Sequence, residues 1–208
     1  MNENGEKVLN QFFQPFYDHR INLIKNYDFV NNGLLDIPIA LFWFSVIDFY
    51  GGLYSVGINN KVDRYRDGSI KLATPESFEK FVEDFFPSPE NRFGKFLYKV
   101  FRSGIVHQIS PKHAGISYKK DNNKLFIPSS PIYNRDSDTE IILNLFKLQE
   151  LVYEAYNTFK RNIVDNQLAG VTKNIYVKLI SNDIFEDRKV FYAQKGLLAN
   201  ELESYLYG

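Results

Sequence analysis

The sequence predicts a mostly α-helical bundle with a small β-hairpin inserted before its last long helix. Two observations carry this prediction. Apolar residues recur every three or four positions through most of the 208-residue chain, which is the period of an α-helix. One segment departs from that period, because GISYKKDNNKLFIPS at 115–129 forms two short apolar runs around an Asp-Asn-Asn turn. Such runs are typical of a hairpin, with its strands at about 115–128.

The first two predicted helices are separated by Asn-Asn-Gly at 31–33, which breaks a helix. Before it, helical spacing of apolar residues predicts one helix from about residue 6 to residue 26. After it, a helix from Leu34 or Pro38 to about Ser55 is apolar on nearly every side. Such a helix is expected to be buried at the centre of the fold. The next residues, GINNKVDRYRDGS at 57–69, are predicted to form a loop.

Two matching helix starts follow, TPE at 74–76 and SPE at 88–90. Each combines an N-cap hydroxyl, a proline at the first helical position and an early acidic residue. The first is expected to begin a short helix that ends near Phe86. The second is expected to begin a helix that continues toward His107.

The motif SDTE at 137–140 is a capping box and predicts the start of the longest helix. The apolar seam of that helix can pack inside the subunit or against a second copy; it comprises Ile141, Leu145, Leu148, Val152, Ala155 and Phe159. Beyond residue 166 the pattern weakens: 174–180 fits a helix or a strand, and 197–206 fits a short terminal helix. We therefore divide the chain into a helical domain, 1–165, and a C-terminal extension, 166–208, packed on the same domain.

The composition excludes several classes of protein. With 44% hydrophobic residues the chain cannot be wholly disordered. Its 25 basic and 25 acidic residues cancel, so any binding to nucleic acid must come from a local patch. The absence of cysteine excludes disulfides, thiolate catalysis and cysteine-based metal sites.

Two features predict a cytoplasmic protein without a membrane span. The N-terminal residues MNENGEKVLNQFF lack the basic-then-apolar pattern of a secretory signal. The most apolar stretch, LLDIPIALFWFSVIDFYGG, is interrupted by Asp36, Pro38 and Asp48. Its uninterrupted apolar run is shorter than the roughly 20 residues that a membrane span needs.

The segment FRSGIVHQ at 101–108 places His107 five positions after Arg102. Histidine is the usual general acid or base near neutral pH, and the guanidinium fork of arginine matches phosphate oxygens. Together they supply two groups that RNA cleavage without a metal needs, one for the ribose 2′-OH and one for the phosphate charge. A five-residue offset puts the side chains about 140° apart on a straight helix. The pair therefore needs a looser helix near Gly104, the full length of the arginine, or two subunits.

A structural interpretation competes with this one. Arg92, Lys95, Lys99 and Arg102 are spaced by three, four and three residues, so they form one polar helix face. Arg102 then simply continues a solvated face. His107 is then a favourable charge near a helix C-terminus.

Asp48 lies in the most apolar helix, on a narrow stripe of small or polar residues that includes Gly52. A carboxylate is costly to bury there unless it is paired. In the functional interpretation Asp48 orients His107 or pairs with Arg102 in a pocket. In the structural interpretation it is a buried cap or forms an ion pair with another basic residue.

The remaining histidines do not indicate a metal site. His19 falls on the apolar seam of the first helix and is expected to be a core histidine, whereas His113 is expected to be exposed. No pair of histidines or cluster of acids has the spacing of metal ligands. No metal and no cofactor is therefore predicted.

Residues 101–124 carry five basic residues against one acidic residue. This local charge, with aromatic rings interleaved, is typical of a surface that binds RNA. The candidate RNA-binding side chains in and just before this segment are Lys99, Ser103, Lys112, Tyr118, Lys119 and Lys120. The alternative is that the lysines prevent an exposed hairpin edge from pairing with other chains.

The stretch LYKVFRSGIVHQ, which follows an apolar helix carrying IDFYGGLYS, resembles the HEPN superfamily of helical domains. The shared feature is an arginine, four to six intervening residues and a histidine near the end of a core helix. Here the motif is Arg102, four residues and His107. The residue after the arginine is commonly polar in that superfamily, and Ser103 agrees. Some members add an acidic residue from an earlier helix, a position to which Asp48 maps. The resemblance covers roughly residues 35–165.

The resemblance implies a HEPN-like bundle that dimerises. Many members are metal-independent endoribonucleases of toxin–antitoxin, antiphage defence or RNA-processing systems, and the arginine–histidine pairs of two subunits form one composite site. By this resemblance His107 is the general acid/base, Arg102 binds the scissile phosphate, Asp48 orients one of them, and Ser103 assists through its hydroxyl. The expected partners are RNA, a second copy of the chain, and an antitoxin or other protein.

Two other functions stay open. Some HEPN members have lost the activity, so the alternative is a non-catalytic HEPN-like module that binds RNA, a nucleotide or a protein. The third interpretation is a purely structural helical dimerisation protein. It predicts an ion pair between Asp48 and Arg102 with no open pocket and no binding of nucleic acid.

Overall fold

The computed structural model of the protein describes residues 2–14, 18–25, 36–66, 68, 70–108, 111, 114–128 and 141–181. Within these ranges the chain is mostly helical and carries a two-stranded and a three-stranded sheet. The predicted class, mostly α with a small β component, is confirmed. The α-helices, in chain order, are α1 (Glu3–Phe12), α2 (His19–Lys25), α3 (Asp36–Asn59), α4 (Pro75–Phe85), α5 (Gly94–Phe96), α6 (Ser103–Gln108), α7 (Leu145–Val164) and α8 (Ala169–Ile175).

Helix α3 forms the core, as its apolar surface predicts. It contacts α4, α7 and α8, and its side chains Trp43, Tyr50 and Leu53 are fully buried. By length and composition alone this helix could cross a membrane, with a mean hydropathy of 1.4 over its most apolar window. Of that window, 61% is buried inside the protein, and the core helix of a soluble protein passes the same test.

The predicted helix over 6–26 corresponds to α1 and α2, and the Asp18 N–H donates to the carbonyl of Phe13 five residues back at 3.1 Å. Residues 15–17 lie outside the described residues. Phe13, just after α1, is fully buried and contacts the rings of Tyr50 and Phe159, which holds the end of α1 on the core.

Two glycines of α3 let the following chain approach the helix closely. A Cβ added to Gly51 would lie 2.6 Å from the carbonyl oxygen of Ser77. A Cβ added to Gly52 would lie 2.6 Å from the carbonyl oxygen of Leu72. Because Asp48 precedes Gly52 by one helical turn, the start of α4 and the chain before it pack close to Asp48.

Part of the predicted loop at 57–69 belongs to a small β-hairpin, which corrects that prediction. Strand β1 (Asp63–Arg64) pairs antiparallel with β2 (Ile70–Lys71). Gly68 has a φ of 86°, a left-handed conformation that glycine adopts without steric penalty. The ladder involves only two residues of each strand. An alternation of apolar and polar residues this short cannot be recognised as a strand in the sequence.

Helix α4 begins as the TPE motif predicts. Thr74 Oγ1 accepts a hydrogen bond from Ser77 N–H, and Ser77 Oγ accepts one from Thr74 N–H, each at 3.0 Å. This is a reciprocal capping arrangement. The SPE motif at 88–90 does not cap a helix. Pro89 occupies the N-cap position without a side-chain hydrogen bond, and the chain continues as a 3₁₀ turn, Glu90–Phe93.

The helical segment 90–108 is irregular where the sequence predicts a regular helix. After the 3₁₀ turn and α5 comes a π-helix at Leu97–Arg102, and then α6. The Ser103 N–H donates to the carbonyl of Tyr98 five residues back, which widens the turn that ends at Arg102. Phe101 is buried and stacks on Phe126, with 5.9 Å between the ring centroids. The next side chain, Arg102, is thereby directed to a different side, toward α3.

The predicted hairpin at 115–128 is wrong in its pairing. Strands form at β3 (Ala114–Ser117) and β4 (Phe126–Pro128), but β5 (Ile141–Asn144) lies between them. Strand β5 runs parallel to β3 and antiparallel to β4. The apolar run Ile-Ile-Leu of β5 favours a central strand, although its spacing also fits the start of the following helix.

Helix α7 begins at Leu145, so its predicted start near Ile141 is wrong. The side chain of Asn144 caps the helix, and the proposed capping box at 137–140 lies outside the described residues. Ile141 is instead 36% exposed in β5. The rest of the predicted seam packs inside the subunit, because its members are fully buried in the single chain; they are Leu145, Leu148, Val152, Ala155 and Phe159.

The described part of the C-terminal extension is helical and packs on α3. A π-helical turn at Tyr176–Ser181 follows α8, so 174–180 is a helix and not a strand. The side-chain amide of Asn174 donates to the carbonyl of Gly57 at 2.7 Å, which ties α8 to the end of α3. The predicted terminal helix at 197–206 lies outside the described residues.

Candidate functional site

Asp48 and Arg102 form an ion pair between α3 and the end of the π-helix. The Nε of Arg102 donates to Oδ2 of Asp48 at 2.9 Å. The Arg102 side chain is 20% exposed and that of Asp48 is 14% exposed, so the pair is largely removed from water but open at its edge. The sequence suggested His107, Arg102 or another basic residue as the partner of Asp48. In the structure the partner is Arg102.

The carboxyl group of Asp48 lies in an unfavourable environment. Its Oδ1 is buried and makes no hydrogen bond within the described residues. Burial raises the pKa of Asp48 above its ordinary value, and the Arg102 guanidinium offsets only part of this increase. A buried acceptor without a partner costs stability. Groups with pKa values perturbed in this way occur more often at functional sites than elsewhere.

Replacing Asp48 by asparagine is expected to raise the melting temperature relative to the unsubstituted protein, increasingly so as the pH rises. The folded-state pKa of Asp48 is raised, so the folded chain holds the proton more tightly than the unfolded chain. The stability contributed by this group is therefore complete below the ordinary pKa of 3.8 and is lost as the pH rises through the folded-state pKa. Thermal unfolding of both proteins from acid to neutral pH measures the difference. A pH-independent difference would mean that Arg102 fully offsets the burial.

Arg102 keeps part of its hydrogen-bonding capacity. Its contact with Asp48 uses Nε, and within the described residues its terminal nitrogens make no hydrogen bond. The guanidinium lies over the ring of Tyr98, 5.1 Å from the centroid, which stabilises the cation. An arginine held in this way can offer its terminal N–H groups to phosphate oxygens. Tyr98 was not predicted as a site residue, although its position four residues before Arg102 was the available signal.

His107 does not share a helix face with Arg102 in the single chain. It is exposed in the last turn of α6, whereas Arg102 is directed toward α3. Because 103–108 is α-helical, the side chains remain about 140° apart around the axis. The widened turn ends at Arg102, so the helix is not loosened near Gly104. His113 and the side chain of His19 lie outside the described residues.

The predicted RNA-binding side chains are spread over more than one element. Lys99 is exposed on the π-helix, and Ser103 is half-buried at the start of α6. Tyr118 follows β3, with its ring edge-on to Phe146 at 5.6 Å between centroids. Lys112 lies outside the described residues.

The loop between β3 and β4 is basic, and a buried asparagine holds it. Lys119, Lys120 and Lys124 are exposed on this loop. The Nδ2 of Asn144 donates to the backbone carbonyls of Lys119, Asn122 and Lys124 at 3.1, 2.8 and 3.2 Å. Its Oδ1 accepts from the Lys119 N–H at 3.1 Å. Asn144 was not predicted from the sequence, because the helix was expected to begin near Ile141 and Asn144 then falls inside it.

A cavity of about 290 Å³ lies away from the ion pair, between α4 and the segment 90–95. It contains none of the predicted site residues; its lining is Glu79, Glu83, Asn91, Arg92, Gly94 and Lys95. In the part of the chain that the structure describes, no three histidine or acidic side chains lie together as metal ligands would.

Comparison of the chain with protein-family models, curated proteins and solved structures finds no match. The resemblance to HEPN domains therefore rests on the Arg102–His107 motif and its helical surroundings alone. The ion pair of Asp48 and Arg102 fits both a catalytic and a purely structural interpretation.

Proposed function

We propose that the protein is a HEPN-like, metal-independent endoribonuclease whose active site forms between two copies of the chain. The observation that carries the proposal is the state of Arg102. Its Nε is held by Asp48 at 2.9 Å, while its terminal nitrogens make no hydrogen bond within the described residues. An exposed histidine, His107, follows five residues later.

In the proposed reaction, His107 of one copy removes the proton from a ribose 2′-OH. The 2′-oxygen attacks the adjacent phosphorus, and the bond from phosphorus to the 5′-oxygen breaks. The 5′-oxygen takes a proton from water, which leaves a 2′,3′-cyclic phosphate and a 5′-OH end, and the protonated His107 returns its proton to the solvent. The terminal N–H groups of Arg102 stabilise the charge that develops on the other phosphate oxygens.

Asp48 acts on Arg102 and not on His107 in this proposal. Its carboxylate contacts Nε, so it holds the guanidinium while leaving the terminal N–H groups for phosphate. Asp48 is therefore a positioning residue. Ser103 directly follows Arg102 and is half-buried, so its hydroxyl serves as a second donor to the same phosphate.

A second copy is required because one chain does not place both groups on one helix face. In a homodimer, Arg102 of one copy and His107 of the other can meet at a single phosphate. The flanking RNA would contact Lys99 and Lys112, together with the loop that carries Tyr118, Lys119 and Lys120. The proposal places the protein in the cytoplasm, in a toxin–antitoxin or antiphage system where an antitoxin or another protein is a further partner.

Cleavage of end-labelled RNA in the presence of EDTA tests the proposal. We expect His107→Ala to lower the cleavage rate by about 10²- to 10⁴-fold, the usual contribution of a general acid or base, and Arg102→Ala to lower it strongly as well. Arg92→Ala is the matched control, because it removes an exposed arginine of the 3₁₀ turn Glu90–Phe93. Equal cleavage by all four proteins would mean that the activity belongs to a contaminant or to another site.

Mixing the two inactive variants tests whether the site is shared between copies. In a mixed dimer, Arg102 of one chain and His107 of the other rebuild one complete site. Partial recovery of cleavage is therefore expected after Arg102→Ala and His107→Ala are unfolded and refolded together. No recovery from dimers shown to be mixed would contradict a composite site.

A non-catalytic RNA-binding module is the second candidate, and the rigid basic loop favours it. Asn144 holds Lys119 and Lys124 in place through their backbone groups, which suits binding without any need for His107. That function predicts salt-sensitive RNA binding with no cleavage, and unchanged binding in His107→Ala.

A further inference from the structure

The β1–β2 hairpin lies next to the Asp48–Arg102 ion pair. Strand β2 leads directly into Leu72, whose carbonyl packs against Gly52. Gly52 lies one helical turn after Asp48 on α3. Because Gly52 allows this close approach, the base of the hairpin lies near the turn of α3 whose Asp48 forms the ion pair with Arg102.

Two tyrosines beside this ion pair each make a cation–π contact. The Nζ of Lys71 lies 5.8 Å from the ring centroid of Tyr65, and the guanidinium of Arg102 lies 5.1 Å from that of Tyr98. Tyr65 is near enough to Tyr98 to contribute to its raised pKa, which has burial as its main cause. We call Tyr65, Lys71, Tyr98 and Arg102 the hairpin surface.

The hairpin surface combines an open aromatic ring with positive charge. Tyr65 is 53% exposed, so more than half of its surface is available to a ligand. Residues 61–71 contain four basic and two acidic residues, and one of the acids, Asp63, is paired with Lys61 at 2.8 Å. Exposed aromatic rings among cations are what proteins use to bind single-stranded nucleic acid.

We propose that the hairpin surface binds an unpaired stretch of RNA next to the scissile phosphate, with one base stacked on Tyr65. The position of the scissile phosphate at Arg102 rests on the proposed function. Stacking on Tyr65 requires a base that has left its helical stack, so this surface selects single-stranded over duplex RNA. Lys71 supplies charge for the phosphate beside the stacked base.

Binding of a short fluorescein-labelled single-stranded RNA tests this proposal. The RNA carries 2′-O-methyl groups, which block attack by the 2′-oxygen and so separate binding from cleavage. We expect Tyr65→Leu to weaken binding by about 5- to 150-fold, the range for losing one base stack. Tyr65→Phe keeps the ring and is expected to bind like the unsubstituted protein. Lys71→Gln is expected to lower both the affinity and its dependence on salt.

A second readout is independent of affinity. In Tyr65→Trp the new indole is exposed, whereas the natural tryptophan, Trp43, is fully buried. We expect RNA to quench the fluorescence of Tyr65→Trp and to leave that of the unsubstituted protein unchanged. A duplex of the same sequence should bind more weakly and should not respond to Tyr65→Leu.

The outcomes separate this proposal from the nuclease proposal. Equal binding by the unsubstituted protein and Tyr65→Leu, without quenching in Tyr65→Trp, would overturn the stacking site even if RNA is cleaved. If unmodified RNA is not cleaved but Tyr65→Leu still loses binding, the hairpin surface is supported and the nuclease proposal fails.

Discussion

Replacing Asn144 by aspartate is expected to destabilise the protein by more than about 3 kcal/mol, although the two side chains have nearly the same shape. Asn144 is fully buried. Its Nδ2 faces the carbonyl oxygens of Lys119, Asn122 and Lys124. An aspartate oxygen in that place would face three acceptors with no proton to share. The buried negative charge adds a further cost.

The matched control is Asn122→Asp, which makes the same chemical change within the loop that Asn144 holds. The Oδ1 of Asn122 accepts from the Lys124 N–H at 2.9 Å, and an aspartate keeps that acceptor. Urea unfolding at neutral pH should show a lower midpoint for Asn144→Asp and little change for Asn122→Asp. The difference should shrink in acid, because a protonated aspartate regains one donor. Equal midpoints would contradict the role of Asn144 as the support of the basic loop.

Gly52→Ala is expected to destabilise the protein by roughly 1–3 kcal/mol, although alanine is the better helix former. The added Cβ would lie 2.6 Å from the carbonyl oxygen of Leu72 and 2.8 Å from its Cβ, so α3 and the chain before α4 must separate. The higher helix propensity of alanine offsets about 1 kcal/mol of the larger steric cost. Because Asp48 lies one turn away, we also expect weaker binding of RNA at the hairpin surface.

Gly170→Ala is the control for this substitution. Gly170 is also a helical glycine, in α8, but an added Cβ there meets nothing within 4 Å. Alanine is therefore expected to stabilise the protein by about 0.5 kcal/mol through its lower backbone entropy. Denaturant unfolding compares the two variants. A stabilising effect of Gly52→Ala would mean that Leu72 does not pack on α3 as closely as described.

The helices that the sequence predicted well are those whose signals lie within a few residues. Helix α3 is apolar all round, and α4 is capped by Thr74 and Ser77. The errors arise where a local signal competes with a distant partner. The run Ile141–Asn144 has an apolar pattern that also fits a helix, but its pairing with β3 and β4 makes it a strand.

The site was predicted in part. Asp48, Arg102 and His107 could be selected from residue type and spacing, and Arg102 was one of the partners considered for Asp48. Tyr98, Tyr65 and Asn144 were not selected, because single tyrosines and asparagines are common and carry no motif. Their contacts become evident only in three dimensions. The Arg102 guanidinium lies over Tyr98 and Lys71 lies over Tyr65. Asn144 binds the backbone of the loop between β3 and β4.

The amino-acid sequence by itself determined the helical class, the buried central helix and the cap of α4. These features depend on periodicity within one element and on hydrogen bonds within one turn. Only the tertiary structure decided the partner of Asp48, the order of the strands and the support of the basic loop. Asp48 and Arg102 are 54 positions apart, and Asn144 and Lys119 are 25 apart. Contacts at such separations depend on how whole elements pack, which no local pattern encodes.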